Sequence, residues 1–235
     1  MGEPEYKLKV NGKMISKSKI FEVYEEKGRN KLFTINLTPG KKVYEETLAI
    51  QNNVEYREWD PYSSKLAALI ANKCQNIFIR KDDAVLYLGS STGTTASHVS
   101  DIVGKDGFVF AVDLAPRVMR DLIFNLEARK NTAPILESAN HINKLMERIS
   151  IVDVVYQDIA QKNQVDIFLK NIRAFLKKDG YALLAVKARS IDVTQKPKHI
   201  FNEVKGQLEN EVTIVDYRTL EPYQKDHAMF VVKKK

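Results

Sequence analysis

Apolar positions along this chain follow two different rhythms. Over residues 1–55 they alternate with polar ones. Tyr6-Lys7-Leu8-Lys9-Val10 has period two and runs into Asn11-Gly12, a strong hairpin signal. Ile20-Phe21-Glu22-Val23-Tyr24 and Lys31-Leu32-Phe33-Thr34-Ile35 flank a turn at Lys27-Gly28-Arg29-Asn30, and Thr38-Pro39-Gly40-Lys41 punctuates again. This segment carries no nucleophile, metal cluster or glycine loop. It predicts a small antiparallel β domain over 1–55, used for docking a partner or for capping the domain that follows.

From residue 84 the rhythm changes to solid apolar runs separated by helical stretches, expected of strands buried on both faces. The runs are 85–88, 108–112, 134–136, 151–156, 181–186, 212–217 and 228–232, with Lys233–Lys235 as a basic tail. Between them, a helix after Gly93 ends near Gly104, and Pro116 opens another that places Met119, Leu122, Ile123 and Leu126 on one face. A third carries Val165, Phe168, Leu169, Ile172, Phe175 and Leu176 inward until Lys178-Asp179-Gly180 ends it, and a fourth covers about 197–209. Strands alternating with helices predict a mostly parallel sheet. Only the loop from Arg218 to His227 joins the last two strands, too little for a helical crossover, so the last strand should be antiparallel. The fold class is therefore α/β. A seven-stranded, mostly parallel sheet with its last strand antiparallel, over residues 56–235, is the layout of the Rossmann-like methyltransferases.

Residues 83–113 give that sheet a site. A buried strand ends at Gly89-Ser90-Ser91-Thr92-Gly93, a helix follows, and a second buried strand ends at Asp113. Ligands sit outside the carboxyl ends of such strands, glycines admit the backbone close to them, and the second-strand carboxylate can bind a ribose diol. The spacing is not that of a dinucleotide-binding loop, and hydroxyls replace a pyrophosphate cradle. A nucleoside cofactor without phosphates fits better, and S-adenosylmethionine has a ribose for Asp113 and an amino-acid tail for residues 89–95. The same turn matches G-x-S-x-G, with Asp158 and His227 following in hydrolase order. An α/β-hydrolase using Ser91 is disfavoured because the turn follows the first strand and no His-Gly-Gly loop precedes it.

Charged residues mark the same sheet edge. Asp158 and Lys187 end neighbouring apolar strands, so they can meet there, with Asp158 holding Lys187 beside a substrate hydroxyl. Ser63-Ser64 can cap a helix beginning at Lys65, where a cation opposes the helix dipole. The formal net charge is +7 and the pI about 9.2, which suits a polyanionic partner, RNA or DNA. No apolar run is long enough for a membrane span, the N-terminus has no signal core, and Cys74, the only cysteine, leaves no disulfide or Cys-based zinc site. His98, His141 and His199 share no metal spacing. An intracellular, reducing location is expected.

Several long motifs resemble fibrillarin. They are Ser64-Lys65-Leu66-Ala67-Ala68, Val85-Leu86-Tyr87-Leu88-Gly89, the stretch from Gly93 to Gly104, Asp153-Val154-Val155-Tyr156-Gln157-Asp158-Ile159-Ala160-Gln161, and Leu220-Glu221-Pro222-Tyr223. The resemblance covers nearly the whole chain. It implies a guide-RNA-directed RNA 2′-O-methyltransferase, using S-adenosylmethionine on rRNA and tRNA within a box C/D particle. A non-catalytic subunit of such a particle is the alternative. The implied catalytic set is Lys65, Asp158, Lys187 and His227. The implied cofactor contacts are Gly89, Ser91, Thr94, Thr95, Asp113, Leu114, Ala139, Asp158 and Gln161. Implied partners are the box C/D guide RNA, a Nop-domain scaffold protein and a kink-turn-binding ribosomal-type protein. Two departures stand out: Asp113 replaces the usual Glu, and Ser138-Ala139 replaces the usual Asp-Ala, so Ser138 would contact the adenine or hold a water in its place. The chain begins with strands and has no Gly/Arg-rich extension, as expected of the archaeal form, in a cytoplasm with no nucleus.

Overall fold

The computed structural model describes residues 14–26, 28 and 31–235. The hairpin expected at 6–12 and most of the turn at 27–30 lie outside the described residues. Among the described residues the N-terminal sheet has five strands: β1 (Ile15–Lys17), β2 (Tyr24–Glu26), β3 (Lys31–Ile35), β4 (Leu48–Gln51) and β5 (Val54–Trp59). All pairings are antiparallel, in the order β1-β2-β3-β5-β4. Only Tyr24 of the run at 20–24 is in a strand. Ser18 instead turns the chain, its hydroxyl accepting from the Ile20 amide, and this frees Ile20 and Val23 to point into the core. β5 passes through position 55 and belongs wholly to this sheet.

After β5 come α1 (Lys65–Ala71), β6 (Ala84–Leu88), α2 (Thr94–Val103), β7 (Phe108–Asp113), α3 (Pro116–Leu126), β8 (Thr132–Leu136), α4 (Ile142–Met146), β9 (Val152–Gln157), α5 (Gln164–Phe175), β10 (Leu176–Lys187), α6 (Ala188–Ile191), α7 (Pro197–Glu209), β11 (Val212–Thr219) and β12 (His227–Lys234). The second sheet runs β11-β12-β10-β9-β6-β7-β8. β12 runs antiparallel to both of its neighbours, β10 and β11, as the short loop before it requires, and the other pairings in this sheet are parallel. Alternation sends Val85, Tyr87, Ala111 and Leu183 to one face, under α1 to α3, and Leu86, Leu88, Val112 and Leu184 to the other, under α5 and α7. The middle stretches of the central strands, 85–88, 154–156 and 182–186, are thus apolar without alternation because both faces are covered.

Three expectations are corrected. Ile123 is 52% exposed: α3 buries Met119, Leu122 and Leu126, a stripe too narrow to include it. Leu176 starts β10 rather than ending α5, with an irregularity in pairing before Tyr181. The terminal lysines are not a free basic tail. β12 runs to Lys234, whose Nζ donates to the carbonyls of Ile172 (3.0 Å) and Leu176 (2.6 Å), placing a cation at the end of α5 where the dipole favours it.

The two sheets are locked by a buried polar network. Asp101, on α2, accepts from Arg57 Nη1 (2.9 Å) and Thr34 Oγ1 (2.8 Å) on Oδ2, and from Arg129 Nη1 (2.6 Å) and the Leu37 amide (3.0 Å) on Oδ1. Arg57 is fully buried and also donates to Glu46 and Ser97. His98 is stacked on Trp59 and bonded at both ring nitrogens, to Thr34 Oγ1 and Tyr44 OH. Breaking a buried ion pair leaves an uncompensated charge. Arg57→Ala and Asp101→Ala should each cost about 3–5 kcal/mol in denaturant unfolding. Burial first, then the charges of Arg57 and Arg129, holds the His98 pKa well below its ordinary value. The folded state therefore keeps His98 neutral while the unfolded chain protonates it. Stability should fall as the pH drops below about 6.5, and His98→Gln should flatten that slope.

Candidate active site

The site grows from the tip of β6. Gly89 takes a left-handed φ of 80°, and a Cβ there would overlap the Asp158 carbonyl oxygen, so the β6 and β9 tips meet only through glycine. The Asp158 amide donates to Leu88 O (2.8 Å), and the Gly89 and Ser90 amides donate to Val112 O (2.9 and 3.1 Å). Asp113 is pinned by its surroundings: the Ser91 amide donates to Oδ2 (2.9 Å) and the Ala115 amide to Oδ1 (3.0 Å). Each oxygen keeps the capacity to accept a second hydrogen bond. Gly93, at φ 99°, starts α2.

A cavity of about 280 Å³ opens beside this turn. Seven expected residues line it: Gly89, Ser91, Asp113, Leu114, Ala139, Asp158 and Gln161. Its charged lining residues are Asp113, Glu137 and Asp158, with no lysine or arginine among them. Three carboxylates would repel a pyrophosphate and attract a cationic ligand bearing hydroxyls. A second cavity of about 160 Å³ shares Ser91 and Asp158 and holds Thr94, Thr95, Lys65 and Tyr62 in its wall. Thr94 and Thr95, expected as cofactor contacts, therefore line this second cavity and not the first. Thr95 Oγ1 lies 2.9 Å from Ser64 Oγ, which also caps α1 by accepting from the Ala67 amide.

Ser138 is not in either wall. Its hydroxyl accepts from the Asn140 amide (3.2 Å) and its own amide donates to Glu137 Oε1 (2.7 Å). Glu137, which the motifs do not single out, lines the cofactor-sized cavity instead. The Ser138 amide, then His141, holds its carboxyl below the usual range. Only the position where β8 ends exposes this, and the sequence carries no signal of it beyond an acidic residue next to the expected one.

The expected charged cluster assembles with one changed partner. Asp158 pairs with Lys65, Nζ to Oδ2 at 2.8 Å, and not with Lys187. The reason is the start of α1, which carries Lys65 across the tip of β9. Lys187 is exposed at the end of β10, in register with His227 on β12, and has no ion pair or hydrogen bond among the described residues. His227 is half-buried, and its Nδ1 lies 2.6 Å from the Lys225 carbonyl. A carbonyl only accepts, so Nδ1 carries the proton and Nε2 is left as an acceptor. Burial lowers the His227 pKa most, the Lys225 bond opposes this, and the charges of Lys65 and Lys187 lower it further against Asp158. Gln224 donates to the carbonyls of Pro61 (3.1 Å) and Tyr62 (2.6 Å), and Tyr223 packs edge-on to Tyr62, which fastens the histidine loop to the Lys65 junction. Ser91, Asp158 and His227 do not form a hydrolase triad: His227 faces a backbone carbonyl, and Asp158 is committed to Lys65.

Fold and site together define a Rossmann-like methyltransferase. The Fibrillarin family model matches residues 13–235, and the chain belongs to that family. It is 44% identical over 215 residues to the fibrillarin-like rRNA/tRNA 2′-O-methyltransferase of Pyrococcus furiosus, covering 92% of this chain and 95% of that one. Aeropyrum pernix fibrillarin, solved with natively bound S-adenosyl-L-methionine, superposes with a TM-score of 0.86 at 40% identity, covering 93% of this chain and 97% of that chain. A fibrillarin/Nop5p complex gives 0.83 at 36% identity, covering 92% and 99%.

The electrostatics of the cluster can be read directly. The His227 ring should titrate below about 6.5 by NMR. Lys187→Ala removes one cationic neighbour and should raise that midpoint.

Proposed function

We propose that this chain is the catalytic subunit of a box C/D guide-RNA particle that methylates ribose 2′-hydroxyls of rRNA and tRNA. The observation that carries this reading is a carboxylate-lined, nucleoside-sized cavity that shares Asp158 with a neighbouring cavity holding Lys65, with His227, in register with Lys187, close enough to feel the charges of Lys65 and Asp158. The residues present fit S-adenosylmethionine. Asp113 keeps accepting capacity for a ribose diol, and the carboxylate lining suits a sulfonium cation. When bound, that cofactor supplies an electrophilic methyl group.

The chain's own residues supply the rest. A ribose hydroxyl is a weak nucleophile because it holds its proton tightly, so a base and a nearby positive charge are needed. His227 is neutral near pH 7, with Nε2 as an acceptor, and receives the hydroxyl proton. The free ammonium of Lys187 stabilises the developing alkoxide. Asp158 holds Lys65 at the cavity junction, so that Lys65 adds positive charge without drifting. Asp113, Gly89 and Ser91 orient the cofactor. Ala139 and Gln161 complete its seat on the other side.

Substrate and partners follow the same reading. The net charge of +7 supports a salt-sensitive attraction to RNA, with the guide supplying target choice by base pairing. A Nop-domain scaffold and a kink-turn-binding ribosomal-type protein would hold the guide in place. The rival role, an RNP subunit without chemistry, leaves the assembled charged cluster without a use. The test is methyl incorporation from labelled S-adenosylmethionine into a guide-matched RNA by the reconstituted particle. Lys187→Ala and His227→Ala should each lower kcat by about 100-fold or more while cofactor binding persists. Full methylation by Lys187→Ala would sink its assigned role.

A further inference from the structure

Lys187 ends β10 and His227 begins β12, and the two are directly opposed in an antiparallel ladder. Opposed residues put their side chains on the same face of the sheet. The last rung is the Ala188 amide donating to Asp226 O at 3.0 Å, which flanks this pair rather than joining it. Flanked pairs bring their side chains closer than pairs that exchange their own hydrogen bonds. Beyond that rung the strands part. β10 passes into α6, and β12 is reached from the loop that begins at Leu220. The open end of a ladder frays unless something holds it.

A side-chain bridge crosses that end. Arg189, on α6, donates from Nε to Asp226 Oδ2 at 3.3 Å and from Nη1 to Val193 O at 2.7 Å. Asp226 stands directly before His227 at a left-handed φ of 58°, a conformation that aspartate tolerates. Resting on the methyl-transfer reading of this site, we propose that Arg189 is a positioning residue of the reaction: its bridge to Asp226 fixes His227 opposite Lys187, so that base and cation face one ribose hydroxyl together. The Arg189 side chain is 45% exposed and that of Asp226 20%, so the pair adds little to overall stability. Its effect is on geometry, because a small misplacement of a reacting group costs far more in rate than in folding. The guanidinium serves two acceptors from one rigid plane, which an ammonium on a flexible stem does not reproduce. Neither Arg189 nor Asp226 lines either cavity of the site. Gln224 fastens the other flank of the same loop to Pro61 and Tyr62, so the histidine is held from two sides.

The test is methylation of a guide-matched RNA by the reconstituted particle, read as kcat and as separate KM values for RNA and S-adenosylmethionine. Arg189→Met should lower kcat by about tenfold or more with the KM for S-adenosylmethionine unchanged. Arg189→Lys should recover part of the loss. Asp226→Asn keeps the backbone conformation, removes the charge and should also lower kcat. In that background Arg189→Met should cost less than it does in the wild type, since both changes act on one bridge. In the free chain, the His227 ring signals should shift or broaden by NMR in both single variants, while those of buried His98 stay in place. An unchanged kcat or an unmoved His227 ring in either single variant, or losses that multiply in full, overturns the assignment. A rise in RNA KM confined to Arg189→Met, with kcat kept, makes Arg189 a phosphate contact and overturns it as well. If the wild-type particle transfers no methyl group, the methyl-transfer reading falls and this assignment falls with it. If the wild type and all the variants are equally active, this assignment alone falls.

Discussion

One buried carboxylate decides how the two halves of this protein meet. Asp101 accepts four hydrogen bonds from β3, the loop after it, β5 and the segment following α3. A desolvated charge is tolerated only when it is this fully paired. Asp101 therefore restricts the N-terminal sheet to a narrow set of positions on α2. That restriction reaches the chemistry through the backbone. β5 leads within a few residues to Pro61, Tyr62 and Lys65, and the opposite end of α2 begins at Gly93 and Thr94. The network and the site are two ends of the same helix.

The second organising element is the lack of spare room at Gly89. Because the β6 and β9 tips touch there, the glycine turn and the Asp158 carboxylate are parts of one rigid edge. The two cavities share Asp158 and Ser91, so their walls cannot move independently. The chain places three carboxylates in the wall of the first cavity and the ammonium of Lys65 in the wall of the second. The separation between them is only the width of the shared residues.

Much of this architecture is legible in the order of the amino acids. Apolar runs without alternation announce strands buried on both faces, and the ten residues from Arg218 to His227 can only join antiparallel neighbours. The cation at the head of α1, out of place for helix stability, points to Lys65, and Asp158 is what compensates it. What stays hidden depends on side-chain direction across separate elements. Strand order makes Asp158 and Lys187 neighbours, but the approach of α1 gives the carboxylate to Lys65. Ile123 satisfies a helical period whose buried stripe ends one position short of it. Glu137 and Ser138 are adjacent in sequence, and only the end of β8 decides which faces the cavity. Lys234 reads as tail because its acceptors, the last carbonyls of α5, lie some sixty positions earlier.

The place of β12 has a consequence for how the protein is made. β12 follows every other described strand in chain order, yet it lies between β10 and β11 rather than at an edge. Until it inserts, β11 has no partner in the sheet and the gap beside β10 stays open. All the residues of the cofactor seat, from Gly89 to Gln161, precede that event, whereas His227 is the first residue of the inserting strand. A chain without β12 can thus carry every residue that lines the cavity from Gly89 to Gln161 while lacking His227. Synthesis order keeps His227 from joining that cavity's neighbourhood until β12 has been made.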